Sequence, residues 1–155
     1  MRLSRVGVAS AAVVLVLGSG VRGQQKPDFS GTWVVVSPAE AAGQVHTIKQ
    51  DATTFTRAHA SEGDGHSLAY KLDGSETRLV MPSHGQEIIT LAKASWNGDR
   101  LVIVEAVTYP DGRKLAKNTV WSVDGQGQLV MEFTEAFEGK PAQTRKVVYK
   151  RKDAS

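Results

Sequence analysis

The sequence contains no cysteine, and only 6% of its residues are aromatic. Without cysteine there is no disulfide, no thiolate nucleophile, no cysteine-ligated zinc or iron–sulfur cluster and no lipidated N-terminal cysteine. The chain also lacks a Gly-x-Ser-x-Gly nucleophile elbow and a phosphate-binding glycine loop, so no common enzyme motif is present. A hydrophobic content of 41% over 155 residues exceeds that of a disordered chain and indicates one globular domain.

The N-terminal segment has the pattern of a secretory signal peptide. Three arginines occur without any acid, an apolar run covers residues 6–17, and small residues follow it. The run is shorter than the ~20 apolar residues that a transmembrane helix needs. We expect a signal peptide at 1–23, cleaved at Gly23 with Gly20 as the alternative. The mature domain, 24–155, is then exported to the periplasm or secreted, without a transmembrane segment.

The formal net charge of +3 comes from this leader, because removing residues 1–23 leaves equal numbers of basic and acidic residues. Binding to nucleic acid needs many phosphate contacts and aromatic stacking platforms. The basic segment 140–152 is interpreted instead as the polar face and end of a last strand. We therefore expect no nucleic-acid partner.

The mature sequence predicts strands joined by tight turns. Leu129, Met131 and Phe133 alternate with polar residues and share one strand face. Turn dipeptides that end in glycine recur along the second half of the chain at near-regular intervals. They are Asn97-Gly98, Asp111-Gly112, Asp124-Gly125 and Glu138-Gly139. The predicted strands are 32–37, 45–50, 53–59, 67–72, 77–81, 86–95, 100–109, 114–123, 128–137 and 143–150.

One short helix is expected after the first strand. Ser37 has the position of an N-cap, Pro38 that of the first helical residue, and Glu40 completes a capping box. Gly43 ends the helix after barely more than one turn.

The strand spacing predicts an all-β fold. There is no room for crossover helices, so the strands form an antiparallel up-and-down meander. About ten strands in sequence order would leave long edges exposed if the sheet stayed flat. Closure into a β-barrel removes those edges, and an open two-sheet sandwich is the alternative.

The segment 29–33, Phe-Ser-Gly-Thr-Trp, resembles the Gly-x-Trp opening of the lipocalins and the wider calycin superfamily. It is especially similar to small exported bacterial lipocalin-like proteins, mostly of unknown function, which open with this segment after a signal peptide. The resemblance implies a lipocalin-like barrel in which Gly31 and Trp33 form the opening motif. It also implies a basic side chain from the last strand packed across Trp33. We expect Arg145 in that role, with Lys146 and Arg151 as alternatives.

A barrel of eight to ten strands is wide enough to leave space inside. The expected inward residues are Trp33, Val35, Ile89, Leu91, Leu101, Ile103, Val107, Trp121, Leu129, Met131, Phe133, Val147 and Tyr149. Six of these are the candidate ligand-binding residues: Trp121, Leu91, Ile103, Met131, Phe133 and Tyr149. Glu87, Lys93, Glu105, Lys117 and Glu135 share the same odd-numbered phase and predict a polar or partly wet cavity. A bulge in any strand would place them in solvent.

The four histidines lack the spacing of a strand or helix chelate. His46 lies on the second strand, His59 and His66 flank a loop, and His84 lies in a turn. We expect surface or turn histidines and no metal or cofactor, with zinc, copper or haem as the alternative.

These features predict a monomer that binds a small, mainly apolar molecule without covalent chemistry inside the barrel. Residues 37–43 and 60–65 would gate one mouth. The alternative is a cell-envelope protein–protein interaction module with a filled barrel. Its outer surface would carry Val34, Val36, Val102, Val104, Val130 and Val148. No spacing identifies catalytic residues, so we expect a binding protein rather than an enzyme.

Overall fold

The structure, a computed structural model, describes residues 25–59 and 66–152. The expected signal peptide at 1–23 and the expected gating loop at 60–65 lie outside the described residues. Within the described ranges, no helix is long and apolar enough to cross a membrane.

Ten antiparallel strands make up the described chain, and each predicted strand is confirmed within two residues at either end. The strands are β1 (Gly31–Ser37), β2 (Val45–Gln50), β3 (Thr54–His59), β4 (Ser67–Lys71), β5 (Glu76–Ser83), β6 (Gln86–Asn97), β7 (Arg100–Thr108), β8 (Lys114–Val123), β9 (Leu129–Phe137) and β10 (Gln143–Arg151).

The predicted helix is a single 3-10 turn at Ala39–Ala41, and the predicted capping box is wrong. Pro38 occupies the N-cap position, and no side chain caps the turn. Ser37 stays in β1, where it pairs with Val148. The turn is short because the amide of Gly43 already donates to the carbonyl of Val35, which returns the chain to the sheet.

The strands form one sheet in the order β4-β3-β2-β1-β10-β9-β8-β7-β6-β5. Pairing of β1 with β10 joins the two halves of the meander into a nearly closed barrel, which confirms the predicted fold class. Between β4 and β5 the described residues form no ladder, and we call this line the seam. The amide of Lys71 donates to Thr77 Oγ1 there at 3.2 Å, and the amide of Gly74 donates to the carbonyl of Ala94 at 3.0 Å.

Hairpin length decides which side chains face the interior. Asn97 pairs with Arg100 across a two-residue turn, so Trp96 lies opposite Leu101. The inward positions therefore change from odd numbers on β7 to even numbers on β6. Pairing of Val80 with Ile89 returns the inward positions of β5 to odd numbers.

This change of phase corrects the expectation for β6. Ala92 and Ala94 are buried inside, whereas Leu91 is 39% exposed on the outer face. Ile89, Glu87 and Lys93 share the outward phase with Leu91. The predicted inward orientation is therefore wrong for all four residues. No bulge is involved, because the β6–β7 ladder is regular from Ile89 to Asn97.

Aromatic side chains fill one end of the barrel, which we call the closed end. Phe29, Trp33, Phe55, Trp121 and Tyr149 are all at most 2% exposed. The Trp33 indole N–H donates to the carbonyl of Phe29 at 2.9 Å, so the buried indole keeps its hydrogen bond.

The basic side chain across Trp33 is Arg151, not Arg145. The Arg151 guanidinium lies 4.4 Å from the Trp33 ring centroid and donates to the carbonyl of Ser30 at 2.9 Å. The register explains this choice, since Arg151 pairs directly with Trp33 whereas Arg145 pairs with Phe133 on β9. Arg145 is exposed and bonds Gln143 at 3.4 Å.

The outer valines do not form one exposed set. Val104 is 54% exposed and Val36 is 40% exposed, but Val130 is only 9% exposed. Val130 pairs with Val148 across the β9–β10 ladder. The expectation of six exposed outer valines is therefore wrong for Val130.

Candidate ligand cavity

A cavity of about 330 Å³ occupies the other end of the barrel. Ligand pockets commonly enclose about 300–1,000 Å³. The wall is formed by Arg57, His59, His66, Leu68, Leu79, Met81, Ile88, Thr90, Glu105, Val107, Tyr109, Leu115, Lys117 and Glu135. The hairpins β5–β6 and β7–β8 turn at this end, since Met81, Ile88 and Tyr109 lie next to those turns.

A row of charged side chains crosses the floor of this cavity. Glu105 on β7 pairs with Lys117 on β8, and Lys117 pairs with Glu135 on β9. Lys117 Nζ lies 3.8 Å from Glu105 Oε2, and the Glu105 side chain is 8% exposed. The odd-numbered phase expected from the sequence holds for these three residues, which we call the charged row.

Tyr70 adds a neutral donor to the charged row. Its hydroxyl donates to Glu105 Oε1 at 2.8 Å. Burial, and then the negative charge of Glu105, raise the pKa of Tyr70 well above its ordinary value. The hydroxyl therefore stays protonated, and one oxygen of Glu105 is already occupied.

Arg57 on β3 faces the same cavity without an ion-pair partner among the described residues. Its Nη1 donates to Met131 Sδ at 3.3 Å, and its Cζ lies 5.8 Å from the Trp121 ring centroid. A guanidinium carries five N–H donors, and a thioether is a weak acceptor. With respect to the described residues, most of the donor capacity of Arg57 is left for another group.

Apolar residues stand between the charged row and the mouth. Thr90 lies opposite Leu79 and Val107, two residues nearer the mouth than the level of Glu105. Thr90 Oγ1 is buried and has no hydrogen-bond partner among the described residues. The cavity therefore combines a polar floor, an apolar upper wall and one unsatisfied hydroxyl.

The six candidate ligand-binding residues lie elsewhere. Trp121 and Ile103 border a smaller void of about 10 Å³ that shares Arg57, Glu105 and Lys117 with the larger cavity. Its volume is that of about one water molecule. Met131 and Tyr149 are buried in the core, and Phe133 is half-buried with Lys117 Nζ 5.2 Å from its ring centroid. Leu91 is on the outside, so none of the six lines the main cavity. Contact of these residues with a ligand stays a prediction.

Arg57, Tyr70 and Thr90 were missed by the sequence reasoning. A signal existed for Arg57, because it shares a strand face with Phe55 and His59 and Phe55 is an obvious core residue. Tyr70 and Thr90 follow only from the pairing of β4 and β6 with their neighbours.

One of the four histidines, His46, is buried, whereas His66 and His84 are exposed as expected. His46 is 7% exposed, which contradicts a surface position. Its ring centroid lies 4.7 Å from that of His59 and 5.3 Å from that of Tyr149. Burial, and then the positive charges of Arg57 and His59, lower the pKa of His46 to about 4. His84 is exposed at the β5–β6 turn with a φ of 50°.

No family model matches the chain, and none of the curated proteins matches it. Solved structures do. The REP1-NXSQ fatty acid transporter matches with a TM-score of 0.55 and 13% identity, over 81% of this chain and 97% of that chain. Human cRBP IV matches with a TM-score of 0.55 and 17% identity, over 81% of this chain and 99% of that chain. A mutant of the REP1-NXSQ transporter gives a TM-score of 0.56 at 13% identity, over 79% and 96%.

The chain folds as a lipocalin-type, calycin-like barrel. At these identities the likeness shows the fold alone, and it confirms the fold implied by the 29–33 segment. In this calycin-like barrel, the Trp33–Arg151 contact closes one end and the cavity lies at the other.

Proposed function

We propose that this calycin-like barrel binds one small amphiphilic molecule in its cavity, with an anionic or strongly polar end at Arg57. The observation that carries the proposal is the guanidinium of Arg57, which faces a cavity of about 330 Å³ with unused donors. Leu79, Met81 and Ile88 provide the surface for a mainly apolar body.

The energetics favour an amphiphile over a purely apolar molecule. Burial of apolar surface contributes about 25 cal/mol per Å². A hydrogen bond to a charged group adds about 1.5–3 kcal/mol. Lys117 is already paired with Glu105, so Arg57 is the cation best placed to supply that second contribution. The name of one structural neighbour, a fatty acid transporter, supports a ligand of this class.

The proposed function includes export of the protein. This part of the proposal rests on the leader pattern at 1–23. An exported protein would carry its ligand in the periplasm or the extracellular space. Intact mass analysis of the protein from the host's cell envelope or medium tests this point. A chain that begins near Gln24 supports export, and a full-length chain in the cytoplasm contradicts it.

Native mass spectrometry of protein recovered gently from its own host tests ligand binding. A stoichiometric extra mass that disappears on denaturation supports a carrier. A ligand-free mass together with no measurable binding of dodecanoate would contradict it. A co-purified protein in that second case would favour the interaction module.

The first prediction concerns Arg57. Arg57→Gln removes the charge and keeps a hydrogen-bonding group, so dodecanoate binding weakens about 10- to 100-fold. Isothermal titration calorimetry measures this change. Binding of dodecanol, which has no charge, changes much less.

Arg78→Gln is the matched control, because Arg78 is an exposed arginine on the outward phase of β5. Equal loss of dodecanoate and dodecanol binding in Arg57→Gln would mean that the barrel had lost its packing. Unchanged dodecanoate binding in that variant would exclude the proposed role of Arg57.

A further inference from the structure

Three of the four histidines lie opposite one another on neighbouring strands. His46 on β2 pairs with His59 on β3. The amide of His59 donates to the carbonyl of His66 at 3.3 Å, one step beyond the pairing of Ala58 with Ser67. We call these three residues the histidine row.

The histidine row faces the interior. Trp33 is a core residue and pairs with His46, so His46 shares its inward phase. His59 and His66 line the cavity. Cross-strand neighbours have Cβ atoms about 4.5–5.5 Å apart, which places each imidazole within reach of the next.

The imidazoles of His46 and His59 are in direct contact. Their ring centroids are 4.7 Å apart with an interplanar angle of 70°. Two imidazoles that share a zinc ion at about 2.0–2.1 Å per bond have ring centroids roughly 5 Å apart. The two imidazoles are therefore in edge-to-face contact, at a centroid distance that one bound ion would not have to change greatly.

His46 also carries an unexplained polar atom. Its Nδ1 is buried and has no hydrogen-bond partner among the described residues. Buried polar atoms are nearly always paired with protein, water or an ion.

We propose that the histidine row binds a divalent transition-metal ion, Zn²⁺ or Cu²⁺, through His46, His59 and His66. Imidazole nitrogen suits these two ions. In the conformation described for residues 25–59 and 66–152, no three metal-ligating side chains converge on one point. His66 is exposed, and its imidazole rotates toward the inner pair when the ion binds. A fourth position then faces the cavity.

Charged side chains of both signs line the cavity beside the histidine row. Arg57 and Lys117 bring positive charge to the cavity wall, and Glu105 and Glu135 bring negative charge. Arg57 is the charge of this group that acts on His46, so the ion must be held by the imidazole nitrogens and not by attraction to the wall. The metal ligands do not include Arg57, but His59 and His66 line the cavity proposed for the amphiphile.

Calorimetric titration of untagged, chelator-stripped protein with Zn²⁺ and with Cu²⁺ tests the proposal. We expect one ion per chain, with affinity reduced at least about tenfold in His59→Gln and in His66→Gln. His84→Gln is the matched control and keeps wild-type affinity, because His84 lies in the exposed β5–β6 turn.

Electron paramagnetic resonance of the Cu²⁺ complex gives a second readout. Nitrogen hyperfine structure from at least two imidazoles supports the site, and its loss in His59→Gln assigns one of them. Absence of binding, or binding that both variants retain, would overturn the proposal. Circular dichroism and urea unfolding of each variant check that the barrel is still folded, so that a loss of metal affinity is not a loss of structure.

Discussion

At the scale of single residues, Arg151 stabilises the closed end of the barrel. Its guanidinium covers the Trp33 ring and bonds the carbonyl of Ser30. Gly31 makes this approach possible, since a Cβ built there would run into Arg151 Nη1. Gly31 also has a φ of 139°, a conformation that other residues rarely adopt.

The second prediction is that Arg151→Ala lowers the free energy of unfolding by about 1–2 kcal/mol, from the lost cation–π contact and hydrogen bond. Urea unfolding followed by tryptophan fluorescence measures the loss. Arg145→Ala, an exposed change on the same strand, stays within about 0.5 kcal/mol of wild type. A larger loss of unfolding free energy in Arg145→Ala than in Arg151→Ala would mean that Arg151 is not the basic residue that stabilises Trp33.

The third prediction concerns alkaline pH. Burial raises the pKa of Tyr149 to about 12, whereas the unfolded chain releases this proton near the ordinary tyrosine pKa of about 10. The contribution of Tyr149 to stability is therefore complete below pH 10 and is lost as the pH rises toward 12.

Tyr149→Phe removes this titration. We expect the unfolding free energy of wild type to fall between about pH 10 and pH 12 by about 2 kcal/mol more than that of the variant. Lysine deprotonation affects both proteins equally, so the difference isolates Tyr149. Parallel curves for the two proteins would mean that Tyr149 is solvated in solution.

At the scale of the strands, hairpin geometry determined both the success and the failure of prediction. Alternation and glycine turns located every strand. The predicted inward phase was correct on β7, β8 and β9, because odd-numbered residues of these strands pair with odd-numbered residues of the next strand. It failed on β6 because the two-residue turn formed by Gly98 and Asp99 reverses the parity. Side-chain size alone favours Leu91 as an inward residue over the alanines beside it.

The site was less predictable than the strands. Glu105, Lys117 and Glu135 followed from alternation, but nothing in one strand says which side chain across the barrel it meets. The Trp33 partner was uncertain for the same reason. Several basic residues occur in β10, and only the β1–β10 register selects Arg151.

The fourth prediction tests the corrected phase. Ala92→Leu adds volume at a position that is 0% exposed, so it destabilises the barrel by about 1–3 kcal/mol. Leu91→Lys lies on the outer face, where the lysine stem keeps apolar contact, and costs less than about 1 kcal/mol. Thermal and urea unfolding compare the stability of the two variants. A larger loss of stability in Leu91→Lys than in Ala92→Leu would mean that Leu91 faces the interior, as the sequence predicted.

At the scale of the whole molecule, the seam is the weakest line of the barrel. Neighbouring strands elsewhere are joined by backbone ladders, whereas in the described part of the chain β4 and β5 are joined by the single bond from the amide of Lys71 to Thr77 Oγ1. Local opening follows from missing backbone hydrogen bonds and sparse packing.

The fifth prediction is that amide hydrogen exchange is faster along β4 and β5 than along β8, which is paired on both sides. Hydrogen–deuterium exchange mass spectrometry measures this difference by peptide. Uniform protection around the barrel would show that the seam is closed in solution. Faster exchange at β8 than at β4 would contradict the strand order.

The pairing of the first strand with the last also has a consequence for synthesis. The bond from Arg151 to Ser30 joins residues 121 positions apart, and β1 has β10 as its second neighbour. Such distant contacts slow folding, because a long loop must close before they form. A nascent chain therefore carries β1 with one edge open until β10 has left the ribosome, and needs protection from aggregation throughout that interval.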